Sequence, residues 1–267
     1  MSSAGLRRRV LAAVLAAALA VGALALGGVD RHRPNRSQAL LSGVALPAPV
    51  RPAFHVPTPR PLPDRVAAAT WAPVLAPVAA HAAPSGGSRS VTRLEPRTPE
   101  GTTNIVRVLG HRADGAGVWV KVSLPVLPNG SVGWVRRGAL GGYAGVTTHL
   151  VVDLRRLTAT LTRNGRRVFV ARVGVGKPAT PTPRGDFYVR DRLAGFHNPV
   201  YGPVAFGTSA RSTVLTDWPG GGFVGIHGTN EPRLIPGRIS HGCIRLRNRD
   251  IVRLSRLMPV GTPLTVR

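Results

Sequence analysis

The chain reads as mostly β, and three observations carry that reading. Short runs of β-branched and aromatic residues recur from about residue 91 to the C-terminus, among them Val118-Trp-Val-Lys-Val122, Val168-Phe-Val170 and Phe223-Val-Gly-Ile-His227. Glycine, proline and two Asn-Gly pairs, 129–130 and 164–165, punctuate these runs. Asn-Gly between such runs is a strong signal for a tight hairpin. Helical spacing occurs in one stretch, where Ile251, Leu254, Leu257 and Met258 fall at i, i+3, i+6 and i+7. The expected architecture is therefore a small β module over residues 91–145, then a β-sandwich domain with a single helix over 146–267.

In chain order, the first element is apolar. Arg7-Arg8-Arg9 precede an uninterrupted apolar run from Val10 to Val29, about the length needed to span a bilayer. Two readings stay open for residues 1–29. One is an uncleaved anchor with its arginines held in the cytoplasm. The other is a signal peptide cut near Ala23-Leu24-Ala25. Either one exports the rest of the chain, membrane-anchored and facing the wall in the first case, secreted in the second. Residues 30–90 carry Pro34, Pro47, Pro49, Pro52, Pro57, Pro59, Pro61 and Pro63, with Pro73, Pro77 and Pro84 beyond, among alanines and without a sustained period. Proline removes donors and fixes extended geometry, so this stretch is expected to be a semi-rigid linker.

The β module follows, with runs at Ile105–Leu109, Val118–Val122 and Gly133–Arg136. In the domain after it, strands are expected at His149–Asp153, Leu157–Thr162, Val168–Val175, Phe187–Val189, Val204–Phe206, Phe223–His227 and Pro263–Val266. The helix is expected over Arg249–Met258, capped by Asn248 and stopped by Pro259. The Gly/Pro-rich stretch 197–222, with His197, Tyr201 and Trp218, is expected to act as a lid or to supply core side chains.

Composition narrows the partners. The formal net charge is +25, and lysine occurs only at Lys121 and Lys177, so the charge is almost wholly arginine. Such a charge favours polyanionic neighbours. No run of five basic residues appears and aromatics make up 5% of the chain, so the interleaved basic and stacking pattern of a nucleic-acid binder is missing. A single cysteine, Cys243, excludes an intramolecular disulfide. An unpaired thiol in an exported chain is a small buried hydrophobe, an intermolecular link or a reactive group.

The stretch 225–250 favours reactivity. His227 lies between Gly225 and Gly228, and Ser240-His241-Gly242-Cys243-Ile-Arg245 follows. A thiol nucleophile needs a base and donors for a developing oxyanion. His227 and His241 are the candidate bases, His241 because i and i+2 share a face in an extended chain. Either could also pair with the thiol as an ion pair and lower its pKa. The amides of Gly242 and Cys243 could form the oxyanion site. Arg245, on the Cys243 face, is a candidate for binding a substrate carboxylate or holding the loop, with a solvated strand arginine as the plain alternative. His227, His241 and Cys243 could also hold zinc, but no second cysteine and no acidic block beyond Glu231 accompany them, and neither metal nor cofactor is expected.

His-Gly-Thr followed by Ser-His-Gly-Cys-Ile-Arg-Leu resembles the signature of the L,D-transpeptidase catalytic domain, and Gly174-Val-Gly-Lys-Pro-Ala-Thr-Pro-Thr-Pro-Arg-Gly-Asp-Phe-Tyr-Val189 is similar to that family's second recurring block. The likeness covers roughly Thr147 to Arg267, with the two histidines closer than is usual in the family. It implies a mostly β fold with Cys243 as nucleophile and His227 as base. Gly228 orients His227 through its carbonyl, and His241 and Gly242 line the oxyanion and orienting side of the site. Ser240 and Arg245 are the candidate substrate contacts. The implied substrates are peptidoglycan stem peptides, donor and acceptor, joined in 3→3 cross-links through a cysteine thioester. Carbapenem-type β-lactams are the implied inhibitors. Water as acceptor would make an L,D-carboxypeptidase, and a degenerate domain would leave a non-enzymatic wall-binding protein. The Gly-x-Trp-Val-Lys-Val…Asn-Gly…Gly-Trp-Val pattern of the upstream module resembles bacterial SH3-like modules, either binding wall polymer or bracing the domain after it.

Overall fold

The computed structural model describes residues 69–115, 117–194, 198–215 and 222–267. The apolar N-terminal segment and most of the expected linker lie outside these residues. Among the described residues no helix is long and apolar enough to cross a membrane.

The first layer is an antiparallel sheet of seven strands: β1 (Ala69–Pro73), β2 (Val78–His81), β3 (Ser90–Leu94), β4 (Ile105–Asp114), β5 (Gly117–Ser123), β6 (Val132–Arg136) and β7 (Ala144–Val146). Their spatial order is β3-β2-β6-β5-β4-β1-β7. The linker expected to reach residue 90 therefore ends sooner. Ala72, Val74 and Ala80 are buried in the same core as Val106, Val120, Val122 and Val135, and Pro73 stands last in its strand, where proline breaks no ladder bond. The tip of the β5–β6 hairpin is a turn over Pro128–Ser131, with Gly130 at φ 86°.

The second sheet has ten strands: β8 (Thr148–Asp153), β9 (Thr158–Arg163), β10 (Arg166–Arg172), β11 (Gly174–Gly176), β12 (Gly185–Ala194), β13 (Val204–Arg211), β14 (Phe223–His227), β15 (Gly237–Ser240), β16 (Ile244–Arg245) and β17 (Pro263–Val266). The order is β10-β9-β8-β17-β12-β13-β14-β16-β11-β15. β12 joins its two halves, since Gly185–Tyr188 pair with β17 and Val189–Ala194 with β13. Leu150, Leu161 and Phe169 from one half and Phe206, Ile226 and Ile244 from the other share one core, which α1 (Asn248–Leu257) closes with Ile251 and Leu254. Asn164 and Gly165, both at positive φ, make the β9–β10 hairpin, as the dipeptide requires.

Two expectations change here. The stretch 197–222 is not one loop, because Val204–Arg211 forms an interior strand between β12 and β14; His197 and Trp218 lie outside the described residues. Asn248 does not cap the helix. Arg247 occupies that position without a side-chain cap, and Asn248 is used elsewhere.

The two sheets meet in side-chain contacts. The Asn129 amide donates to the Arg211 carbonyl at 2.8 Å and its oxygen accepts the Arg211 N–H at 2.9 Å. The Tyr188 hydroxyl donates to the Ile105 carbonyl at 3.2 Å, and burial pushes this phenol up to about 12. A Cβ on Gly261 would overlap the Trp71 ring.

Candidate active site

Parallel pairing of β14 with β16 builds the site. Ile226 lies opposite Ile244 and His227 opposite Arg245. Both isoleucines are fully buried in the core. Side chains alternate across a strand, so Gly225, His227, Cys243 and Arg245 face the other way. His227, Cys243 and Arg245 line a cleft with Tyr201, Phe223 and His241. Gly225 is where a side chain would fill the space between the reactive groups: a Cβ there would stand 3.8 Å from both Cys243 Sγ and His227 Cδ2. Its N–H donates to Cys243 Sγ at 3.4 Å.

His227 is 2% exposed, and its Nδ1 lies 2.7 Å from the Gly228 carbonyl. A carbonyl only accepts, so Nδ1 carries the proton and Nε2 of the neutral ring is the lone pair. Burial holds the imidazole down at about 4, the Gly228 bond opposing and the Arg245 charge adding to the fall. Burial also pushes the Cys243 thiol up, while the Gly225 N–H and Arg245 pull against it. The ion pair that a nearby histidine could have formed is therefore not the resting state. Both groups rest neutral, because desolvation outweighs their stabilisation. The ring edge of Tyr201 meets the imidazole at 5.1 Å between centroids and 68°.

The loop carrying Cys243 is pinned by its own serine. Ser240, fully buried, donates to the Cys243 carbonyl at 2.6 Å and accepts the Gly242 N–H at 3.1 Å. Its hydroxyl is thus spent on the loop backbone rather than offered to a substrate. The Gly242 amide is likewise committed and gives no oxyanion donor in this geometry; Gly242 serves through its φ of 117°, which a side chain would strain. That turn interrupts the extended chain between His241 and Cys243, so the same-face argument for His241 as base does not hold. His241 is exposed and sits on the cleft wall.

The proline-rich loop 177–184 holds the other side. Thr182 is buried, accepts the Gly176 N–H at 2.9 Å and donates to the Gly242 carbonyl at 2.8 Å. The Lys177 N–H and Thr180 hydroxyl both donate to the Ser240 carbonyl. Asn248 does the same for the histidine: its Oδ1 accepts the Thr229 N–H at 2.9 Å, and a Cβ on Gly228 would overlap that oxygen. Arg245 pairs with Glu231 at 3.1 Å, so in this state it holds the loop after Gly228. Tyr201, expected from the sequence in a lid or in the core, lines the cleft, whereas Thr182, Asn248 and Gly225 were not singled out from the sequence as site residues. Only the short-side-chain signal at Gly225 and the proline density around Thr182 hinted at them. Among the described residues, no group of three or more His, Cys, Asp or Glu is placed to hold a metal ion.

Residues 147–266 match the family model described as the L,D-transpeptidase catalytic domain, YkuD. YkuD of Bacillus subtilis is 37% identical over 118 residues, covering 44% of this chain and 65% of its own. YkuD of Bacillus licheniformis is 34% identical over 117 residues, 44% of this chain and 64% of its own. The chain thus spans just under two thirds of these relatives' length. The solved L,D-transpeptidase of Mycobacterium smegmatis is 19% identical, over 61% of this chain and 99% of that one, with a TM-score of 0.37. The cleft residues from Tyr201 to Arg245 lie within the matched segment, and the L,D-transpeptidase catalytic domain of the YkuD type is the family that residues 147–266 of this chain resemble.

Proposed function

We propose that this chain is an exported peptidoglycan L,D-transpeptidase that works through a Cys243 thioester. The observation that carries the reading is the shared cleft face of Cys243 and His227, with the imidazole tautomer fixed by the Gly228 carbonyl. His227 Nε2 takes the Cys243 proton as sulfur attacks the carbonyl of the third residue, a diamino acid, of a donor stem. The C–N bond to the terminal D-alanine breaks, and the imidazolium gives its proton to the departing amine. A side-chain amine of a neighbouring stem then attacks the thioester, His227 takes its proton and returns it to the leaving sulfur, and a 3→3 cross-link results. The Gly228 carbonyl plays the orienting part of a triad carboxylate. The amide of Cys243 itself is the candidate oxyanion donor, given that Gly242 is committed. Water as acceptor would yield the carboxypeptidase instead.

The N-terminal segment exports the chain and, uncleaved, anchors it at the membrane; the upstream sheet is read as an SH3-like module. The test is intact-protein mass spectrometry of the full chain after incubation with a carbapenem, beside Cys243→Ala. One covalent adduct on the native chain alone is expected. No adduct on a chain with reduced Cys243 would replace this reading with wall binding. Product analysis with two stem peptides then separates cross-link from hydrolysis.

A further inference from the structure

A second groove lies where the two sheets join, and it shares a wall with the active cleft. Phe223 lines both. On its groove side the Arg190 guanidinium stacks over the ring at 4.1 Å and that of Arg211 at 4.7 Å. Arg93 of β3 and Arg97, Asn104 and Val126 from the loops between the first-sheet strands also line it.

Arg190 is 3% exposed. Among the described residues no carboxylate lies within ion-pair distance of it, and its Nε has no hydrogen-bond partner. The carboxylate next in sequence, Asp191, spends one oxygen on the Gly207 N–H. A buried cation without a paired anion is costly, and stacking on an aromatic face offsets only part of that cost. Asn104, which also lines the groove, is 6% exposed and donates to the Glu95 carbonyl, yet its Oδ1 is also without a partner. One joint thus presents a buried cationic donor and a buried neutral acceptor, neither satisfied. A ligand that carries both an anion and an N–H donor would satisfy both, as the end of a peptide does.

We propose that this groove is a carboxylate-binding subsite for a stem peptide, taking its terminal carboxylate on Arg190 and a backbone N–H on Asn104. It rests on the transpeptidase reading for the identity of the peptide, and places the acceptor strand along the Phe223 wall, next to Cys243. The upstream sheet then supplies half of a substrate site rather than acting only as a brace, and the excess of arginine has a local use there.

The test measures binding of a stem tetrapeptide, as free acid and as C-terminal carboxamide, to the full chain, with Arg190→Met and Val126→Trp beside it. Val126→Trp fills the groove from the first sheet and leaves Arg190 in place, so it decides the matter should Arg190→Met not fold. The acid is expected to bind at least tenfold tighter than the carboxamide to the native chain, with the difference lost in both variants. Equal affinity of acid and carboxamide for the native chain would overturn the subsite, as would undiminished discrimination in a folded variant. Carbapenem adduct formation at Cys243 is read separately in the native chain. An adduct with no acid preference refutes the groove alone, whereas an acid preference without an adduct refutes the transpeptidase reading alone.

Discussion

Stability should fall with acid because His227 is buried neutral. Its imidazole sits at about 4 in the fold against an ordinary 6.5. The folded pKa is the lower one, so between these values the unfolded chain binds a proton at this ring that the folded chain does not, and unfolding becomes easier as pH falls. At about 1.4 kcal/mol per pH unit, the full loss below pH 4 is about 3 kcal/mol, and about 2 kcal/mol of it is already gone at pH 5. Above pH 7 the contribution is complete and flat. Urea unfolding followed by tryptophan fluorescence, from pH 7.5 to 5, would be compared between the native chain and His227→Gln. Glutamine keeps a donor for the Gly228 carbonyl but does not titrate. The gap between the two proteins should change by about 2 kcal/mol over that range, the native chain losing more. Parallel curves would refute the claim that desolvation sets the state of this imidazole.

Four further outcomes follow from the same geometry. Burial of the thiol predicts slow alkylation of Cys243 by iodoacetamide at pH 7 and a rate still climbing past pH 9; a plateau by pH 7, seen by mass spectrometry, would mean a resting thiolate. Ser240→Ala removes the hydroxyl bonded to the Cys243 carbonyl and Gly242 N–H. It should cost about 1–3 kcal/mol in thermal unfolding and slow carbapenem adduct formation tenfold or more. Asn248→Ala orphans the Thr229 N–H and should cost about 1–2 kcal/mol, with a slower adduct rate that Asn248→Asp partly restores. Asn129→Ala breaks both bonds to Arg211 and should lower stability by about 1–3 kcal/mol, read by urea unfolding.

Residue order alone determined the chemistry's alphabet and the fold class. A thiol between Gly242 and Ile244, a histidine flanked by glycines, and hairpin signals at Asn164-Gly165 are local facts, and local backbone preferences make them legible. The ten-residue helix was readable from its apolar period, within a residue at each end. Three-dimensional packing decided the rest. The strands β1–β3 hide in a proline- and alanine-rich stretch because their burial depends on partners such as β4 and β6, which lie far along the chain. Asn248 has the right identity for a helix cap, yet the same amide group serves better 19 residues upstream, on the Thr229 N–H. The thiol and imidazole have ordinary pKa values until the cleft removes their water, and only the fold says how much water is removed. That Arg190 pairs with no carboxylate among the described residues is likewise invisible in a sequence where Asp191 stands beside it. Sequence names which groups exist; long-range contacts set which of them meet, and at what cost in hydration.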